Sequence, residues 1–197
     1  MARPREFDEA EVIDAAERVF WQRGYDDTSV NDLLDAAGIG RASLYSTFGG
    51  KDQLLLRVLA RHRQRLDGML KHLLEPPSGL TGILAFFHMA VDMATQSEGK
   101  GCLIAQTAGS AAAHGRPVAQ ELASILEGRR KALRHALAVA RQKGELRDGD
   151  LDDLVSFLLT LATGISGAAR AGVGRKELMH AIDVGVAGLA TTHKSGT

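Results

Sequence analysis

The side chains with the clearest chemical purpose in this chain lie between residues 41 and 48, in the run RASLYSTF. Leu44 and Phe48 stand four positions apart, which predicts a short helix with one narrow buried edge. The other positions carry small or polar side chains, which can enter the major groove of DNA and reach base edges or phosphates. These candidate DNA-binding residues are Arg41, Ala42, Ser43, Tyr45, Ser46 and Thr47.

Outside these candidate DNA-binding residues, no group of residues points to catalysis or to a bound metal. A catalytic site needs a nucleophile, a base and a group that orients them. The acidic residues between 148 and 153 fall in a turn and a helix start, where they favour the helix dipole. The histidines lack metal-ligand spacing with cysteine or carboxylate residues. We therefore predict that the protein is not an enzyme and carries no cofactor and no metal.

Two predicted helices around a tight turn position the candidate reading residues. Ser29 and Asp32 fit a capping box at the start of the first helix. Gly38 follows the apolar stripe of that helix, where a left-handed residue would end it. The second helix begins near Arg41. This layout is typical of a helix-turn-helix that reads DNA.

A wider set of spaced residues surrounds this unit: Gly24-Tyr25, Thr28-Ser29-Val30, Ala37-Gly38-Ile39, Leu44-Tyr45-Ser46-Thr47-Phe48 and Lys51. Together they resemble the DNA-binding unit of the TetR/AcrR family of bacterial transcriptional regulators. The chain departs from that pattern at Gly40, where the family commonly has a Ser or Thr cap, and at Gly49-Gly50. The resemblance implies that Thr28, Tyr45 and Lys51 meet phosphates, and that Arg41, Ala42 and Ser43 face bases.

Composition favours a helical protein throughout. The chain has 197 residues, 45% of them hydrophobic, and only four prolines. It has few of the alternating runs that mark strands. We predict an all-α fold of about nine helices. Residues 1–50 would form an N-terminal three-helix helix-turn-helix DNA-binding domain, and residues 51–197 a larger C-terminal helical ligand-binding and dimerisation domain.

The formal net charge is zero, but the charges are unevenly distributed. Residues 6 to 35 carry ten acids, whereas residues 41 to 65 carry six bases against Asp52 alone. Arg3 and Arg5 form a basic pair suited to a flexible arm on phosphates or in the minor groove. The uneven distribution is compatible with DNA binding despite the neutral total.

The last two predicted helices, about Leu151 to Ala171 and Arg175 to Thr192, need cover on more than one side. Apolar residues occupy nearly the whole circumference of the first, and small residues favour close helix contacts. We predict that they form a four-helix bundle with a second copy of the chain, giving a two-fold homodimer. A central core helix within one chain is the alternative. The candidate interface residues are Leu154, Leu158, Gly164, Gly167 and Ile182.

The resemblance also implies a pocket for a small-molecule effector of unknown identity. Its candidate lining residues are Phe86, Phe87, Met89, Met93 and Cys102, although aromatic and Met residues at helical spacing also serve as plain core. Cys102 lies at the expected start of a helix over Cys102 to Ala113. A helix N-terminus lowers a thiol pKa, which suits a sensor of oxidants or electrophiles. A small buried apolar residue is the other interpretation.

These observations predict a dimeric DNA-binding transcriptional regulator, a repressor that a small-molecule effector releases from a pseudo-palindromic double-stranded DNA operator. Two alternatives remain: a thiol-based repressor that senses electrophiles or oxidants through Cys102, and a helical small-molecule-binding protein without DNA activity. No run of 18 apolar residues and no signal peptide is visible. Together with the single cysteine, this predicts a cytoplasmic protein without a membrane partner.

Overall fold

Nine helices make up most of the part of the chain that the structure describes, residues 7–96, 101–109 and 115–191. The structure is a computed structural model. The helices are α1 (Glu9–Arg23), α2 (Val30–Ala37), α3 (Arg41–Phe48), α4 (Lys51–Leu74), α5 (Leu80–Gln96), α6 (Leu103–Gly109), α7 (Arg116–Gln142), α8 (Leu151–Arg170) and α9 (Arg175–Ala187). The predicted all-α fold is confirmed. The predicted arm with Arg3 and Arg5 lies outside the described residues.

Local capping explains why most helix ends fall where the sequence predicts them. The Asp8 side chain accepts a hydrogen bond from the N–H of Ala10 and so caps α1, which ends before Gly24. Helices α4 and α5 are separated by the short segment between Leu74 and Leu80. Helix α6 starts at Leu103, one residue later than predicted, and the predicted course beyond Gly109 lies outside the described residues up to position 114.

Helix α9 ends at Ala187, five residues before the predicted end at Thr192. After Ala187 the backbone pairs with the loop that precedes α8. The N–H of Arg147 donates to the carbonyl of Leu189, and the N–H of Thr191 donates to the carbonyl of Glu145. These bonds satisfy backbone groups that another helical turn would otherwise use, so the helix stops.

The chain forms two compact units. The first comprises the residues up to Gln64 together with Leu103–Ser124. In it α1 packs on α2, and α1 also contacts α6. Its largest fully buried side chains include Phe20, Leu33 and Leu44. Burial of such side chains supplies most of the stabilisation available to a helical unit of this size.

The second unit comprises Arg65–Cys102 and the residues from Ile125 onward. Helix α5 is its central element and packs on α8 and α9. Phe86 and Phe87 are both buried, with their rings edge to face at a centroid distance of 5.3 Å. The units divide α4 and α7 internally, whereas the sequence led us to propose a boundary before α4, after residue 50.

Gly82 in α5 allows a close approach to the end of α4. A Cβ atom at Gly82 would lie 2.1 Å from the carbonyl oxygen of His72 and 3.1 Å from that of Pro77. We expect Gly82→Ala to lower the free energy of unfolding by about 2 kcal/mol, because backbone must move to admit the methyl group. Urea titration measures this effect.

The matched control for that substitution is Gly68→Ala. Gly68 is an exposed residue within α4, and a Cβ there would meet no atom within 4 Å. We expect this change to raise the free energy of unfolding by about 0.5–1 kcal/mol, since alanine is the better helix former. Equal effects of the two substitutions would contradict the packing argument at Gly82.

Candidate functional site

Helices α2 and α3 form the predicted helix-turn-helix. The Ser29 hydroxyl accepts a hydrogen bond from the N–H of Asp32 at 3.2 Å, and the Ser29 N–H donates to the Asp32 carboxylate at 2.8 Å. This capping box confirms the prediction at the start of α2. Gly38 has a φ of 65°, a left-handed conformation that glycine adopts without strain, and it ends α2.

The Asp32 carboxylate has a second partner on α1. It lies 2.5 Å from a guanidinium nitrogen of Arg23. The hydrogen bonds from Ser29, and to a lesser degree the nearby Arg23, hold the pKa of Asp32 below its ordinary value. The carboxylate therefore stays ionised over the pH range in which proteins normally work. It continues to cap α2 throughout that range.

Helix α3 is buried along one edge only. Leu44 and Phe48 are buried, as predicted, while Arg41, Ala42 and Ser46 are exposed and Ser43 and Thr47 are partly exposed. Tyr45 is 50% exposed. The cap residue Gly40 makes no side-chain hydrogen bond. All six candidate reading residues thus remain accessible within the chain, as a surface that contacts DNA requires.

Arg41 is held in place from the neighbouring helix. One guanidinium nitrogen donates to the side-chain oxygen of Asn31 on α2 at 2.7 Å. This contact orients the guanidinium at the exposed start of α3, and the group keeps further N–H donors. The geometry suits a bidentate contact to a guanine edge, the commonest specific contact of arginine with DNA.

Lys51 opens α4 beside an aromatic ring. Its ammonium nitrogen lies 3.9 Å from the centroid of the Tyr25 ring, and the Tyr25 hydroxyl donates to the Asp52 carboxylate. Partial burial lowers the pKa of Lys51, against the opposing effect of nearby acids such as Asp26. Burial, followed by the hydrogen bond with Asp52, raises the pKa of Tyr25. The Lys51 ammonium, for which we predict a phosphate contact, is therefore already held over the Tyr25 ring.

Thr28 does not lie where a phosphate contact requires. The residue is buried, and its hydroxyl donates to the carbonyl oxygen of Gly24. Its backbone N–H donates to the carbonyl of Tyr25 at 3.2 Å. These bonds join the end of α1 to the start of α2. This arrangement does not favour the predicted phosphate contact of Thr28, because its side chain helps to position the reading unit and is 1% exposed.

A narrow cavity of about 30 Å³ lies within the second unit. Three of the five predicted pocket residues, Phe86, Met93 and Cys102, line it. Phe87 does not, because its ring is buried in the core against Phe86, and Met89 does not, because it is an exposed surface residue. The remaining lining residues are Leu66, Met69, Ala90, Ala94, Gly101, Arg129, Ala162, Ile165 and Ser166.

Cys102 is half-buried on the wall of this cavity, directly before α6. Its backbone N–H donates to the hydroxyl of Ser166 on α8 at 2.8 Å. The preceding Gly101 has a φ of 73°, and a Cβ there would lie 2.5 Å from the carbonyl oxygen of Ser166. These contacts fix the backbone of Cys102 against α8.

Sequence reasoning missed Arg129, which is 8% exposed and lines the cavity. A signal for it exists in the sequence. Val118, Leu122, Ile125, Ala132 and Ala136 form a buried stripe on α7, and Arg129 occupies the position of that stripe between Ile125 and Ala132. A cation at an apolar position of a helical pattern is a departure that needs a chemical reason.

Helices α8 and α9 carry an exposed apolar surface, which we call the α8–α9 face. Phe157 is 43% exposed and Val184 is 61% exposed. Leu161 is partly exposed and Gly164 is exposed, on the same side of α8 as Phe157. Helix α8 is also, among the described residues, the one helix long and apolar enough to cross a membrane, a test that core helices of soluble proteins pass too.

The predicted interface residues divide into two groups. Leu154, Leu158 and Ile182 are buried inside the single chain, so they offer little surface of their own to a partner chain. They pack where α8 and α9 meet the rest of their own unit. Gly164 and Gly167 are exposed, and a Cβ at either would meet no atom of the chain within 4 Å.

Among the residues that the structure describes, no group of three or more His, Cys, Asp or Glu side chains is arranged to hold a metal ion.

Comparison with known proteins places most of the chain in described domains. The family model described as "Bacterial regulatory proteins, tetR family" matches residues 12–58. A second one, "Tetracyclin repressor-like, C-terminal domain", matches residues 79–184. The first match covers the helix-turn-helix, and the second covers the cavity-lining helix α5 and most of α8 and α9.

Several individual proteins are similar over nearly the whole chain. The HTH-type transcriptional regulator YezE of Bacillus subtilis is 31% identical over 192 residues, which is 93% of this chain and 97% of that protein. The HTH-type transcriptional repressor ComR of Escherichia coli is 28% identical over 181 residues, 90% of this chain and 86% of that protein. A solved structure of a cysteine variant of the regulator CifR with 26-base-pair operator DNA superposes with a TM-score of 0.81 at 29% identity, covering 93% of this chain and 98% of that one.

Proposed function

The chain belongs to the TetR family of bacterial regulatory proteins, and from this membership we propose a DNA-binding transcriptional repressor that acts in the cytoplasm as a homodimer. A small-molecule effector releases it from a pseudo-palindromic operator. The observation that carries the proposal is the exposed face of α3, where six small or polar side chains project from a helix buried only at Leu44 and Phe48.

Recognition of DNA follows from the arrangement of that face. Arg41, Ala42 and Ser43 at the start of α3 would meet base edges, while Tyr45 and Lys51 would meet phosphates. Ser46 and Thr47 complete the surface. The similar regulator CifR was solved on operator DNA, which supports the same use of the helix here.

The α8–α9 face supports dimerisation. Phe157, Leu161 and Val184 together form an apolar surface, which is exposed to water in an isolated chain at a cost in free energy. A second copy would bury this surface in a four-helix bundle, and Gly164 would allow the helices to approach closely. Two reading helices would then meet major grooves about 34–36 Å apart, or a multiple of that spacing, on a two-fold operator.

Effector release follows from the position of the cavity. Leu66 and Met69 line it and belong to α4, the helix that begins at Lys51. An effector that changes the position of α4 would change the separation of the two reading helices. It can shift this equilibrium only by its difference in affinity for the two states.

A second candidate, release by an oxidant or an electrophile, rests on the half-buried thiol of Cys102 at the same cavity. It differs from the leading proposal because release from DNA would require a covalent modification of the Cys102 sulfur atom. The third possibility, a ligand-binding protein without DNA activity, leaves the exposed face of α3 without a purpose.

Gel-shift titration of the protein with DNA from upstream of its own coding region tests the proposal, and Arg41→Ala sharpens the test. We expect the substitution to weaken binding to the specific site by about 1–3 kcal/mol per half-site, because a bidentate base contact is lost. Binding to random DNA should fall much less. The preference at one position of each half-site should relax.

The control is Arg57→Ala on α4, which removes the same charge from another exposed position. It should leave the specificity pattern unchanged. Equal losses on specific and random DNA for Arg41→Ala would assign that side chain to a phosphate instead. Failure of the wild-type protein to bind any upstream or genomic site specifically would overturn the proposed function.

A further inference from the structure

Arg129 is a buried cation for which the described residues provide no counter-charge. It is 8% exposed, and its Nε is a buried donor without a hydrogen-bond partner among those residues. A guanidinium cannot lose its proton inside a protein, so the charge persists. A buried charge without a partner strongly destabilises a fold. A buried cation with an open donor on a cavity wall is therefore a candidate partner for an anionic ligand.

Most of the side chains that share the cavity with Arg129 are apolar. Leu66 and Met69 come from α4, Phe86 and Met93 from α5, and Ile165 from α8. The polar atoms nearby are already engaged in part, since the Ser166 hydroxyl accepts the hydrogen bond from the Cys102 backbone. Among the residues that the structure describes, the cavity therefore offers one positive charge within a mostly apolar lining.

We propose that the cavity binds a small amphipathic monocarboxylate, with its carboxylate on Arg129 and its apolar body between α4, α5 and α8. This inference names the chemical class of the effector. It rests on the proposed function only in taking the ligand of this cavity to be that effector. A carboxylate accepts two parallel hydrogen bonds from a guanidinium, a geometry that an ammonium cannot supply.

Other ligand classes fit the same site less well. A neutral apolar molecule would leave Arg129 unpaired, and a cation would be repelled by it. A phosphate dianion would bring a second, uncompensated negative charge into an apolar environment. A monocarboxylate matches both the single charge and the apolar lining.

The cavity is too small, in this conformation, to hold such a ligand. About 30 Å³ holds one or two water molecules but no carboxylic acid with an apolar tail. The wall must open to admit the ligand, and the flexible side chains of Met69 and Met93 are suited to move. Because Leu66 and Met69 lie on α4, opening of the cavity would act on the part of that helix that belongs to the second unit.

Isothermal titration calorimetry of the full chain without DNA tests the inference at neutral pH. The probes are butanoate, hexanoate, octanoate and benzoate, each paired with the alcohol of the same carbon skeleton, and inorganic phosphate. We expect at least one acid to bind about tenfold or more tightly than its alcohol, the factor that one charge-assisted hydrogen bond supplies. Equal affinity for every acid and its alcohol, or binding of phosphate alone, overturns the inference.

Two variants on neighbouring residues of α7 assign the effect to one side chain. Arg129→Met should bind the acid no more tightly than its alcohol, whereas Arg130→Met removes the same charge from an exposed position and should behave like the wild type. Without ligand, Arg129→Met should melt at the same temperature as the wild type or higher, because an unpaired buried charge is removed. A lower melting temperature, with the acid preference kept, would make Arg129 a structural residue.

Operator binding, measured separately, distinguishes a failure of the inference about the effector from a failure of the proposed function. If the protein binds its operator but shows no preference for carboxylates, the inference about the effector fails and the proposed function stands. If the protein prefers carboxylates through Arg129 but binds no operator, the proposed function fails. The calorimetric result is independent of DNA and decides the chemistry of the cavity in either case.

Discussion

A Phe157→Glu protein is expected to remain folded, to sediment as a monomer, and to bind operator DNA about a hundredfold or more weakly than the wild type. Phe157 is 43% exposed in the single chain, so a charged side chain there reaches water and leaves the core of its own unit intact. In the proposed dimer the same position would be buried. A carboxylate in that interface would lack a partner, which is strongly unfavourable.

The loss of operator affinity follows from the loss of the second reading unit. Two half-site contacts on one molecule strengthen each other by about 10²–10⁴-fold, without any new contact, because the second binding step is intramolecular. A monomer makes only one. Analytical ultracentrifugation gives the assembly state, and gel shift gives the affinity for the same preparation.

Thr163→Glu is the matched control for this experiment. Thr163 is also exposed on α8, but six residues of helix place it about 120° around the axis from Phe157. The added charge is the same, and the α8–α9 face is untouched. The control should remain a dimer and bind the operator. A wild-type protein that is monomeric at micromolar concentration would refute the dimer proposal, as would a dimeric Phe157→Glu.

Leu158→Glu, one residue further along, should instead destroy the fold. Leu158 is 0% exposed in the single chain, where its side chain belongs to the core of the second unit. Glutamate there either buries a charge or takes up a proton, and it also loses the apolar contacts of leucine. We expect a loss of about 3–5 kcal/mol in the free energy of unfolding, a large part of the 5–15 kcal/mol typical of a protein.

Circular dichroism with urea unfolding distinguishes the two neighbouring variants. Phe157→Glu should keep the helical signal and most of the denaturation midpoint of the monomer, whereas Leu158→Glu should unfold at low urea or at moderate temperature. The same residue is introduced at adjacent positions, so the difference reports burial alone. A Leu158→Glu protein that is folded and monomeric would place Leu158 in the interface after all.

The DNA-binding unit could be predicted closely because its signals are local. The capping box of Ser29 and Asp32 and the left-handed Gly38 specify the ends of α2 within a few residues of sequence. The spacing of Leu44 and Phe48 likewise specifies the buried edge of α3. The hydrogen bond of the Thr28 hydroxyl to the carbonyl of Gly24 could not be predicted, because only the fold reveals this contact.

The second unit was less predictable because its key residues depend on which side of a helix meets its own chain. Apolar residues surround α8 nearly completely, so periodicity could not distinguish the inward Leu158 from the outward Phe157. The adjacent Phe86 and Phe87 pose the same difficulty, since one lines the cavity and the other fills the core. Arg129 could not be distinguished from a surface arginine by its residue type, and only the burial of Ile125 and Ala132 on either side of it makes the difference plain.

The one-sided attachment of α3 bears on how such a protein acquires new target genes. Its inner edge, Leu44 and Phe48, holds the helix, while the outward Ser43, Ser46 and Thr47 fill no core. Substitutions on that outer side cost little folding free energy, as is usual for surface positions. After a gene duplication, one copy can therefore change the promoter that it recognises by single steps, each of which leaves a stable protein and an unaltered effector response.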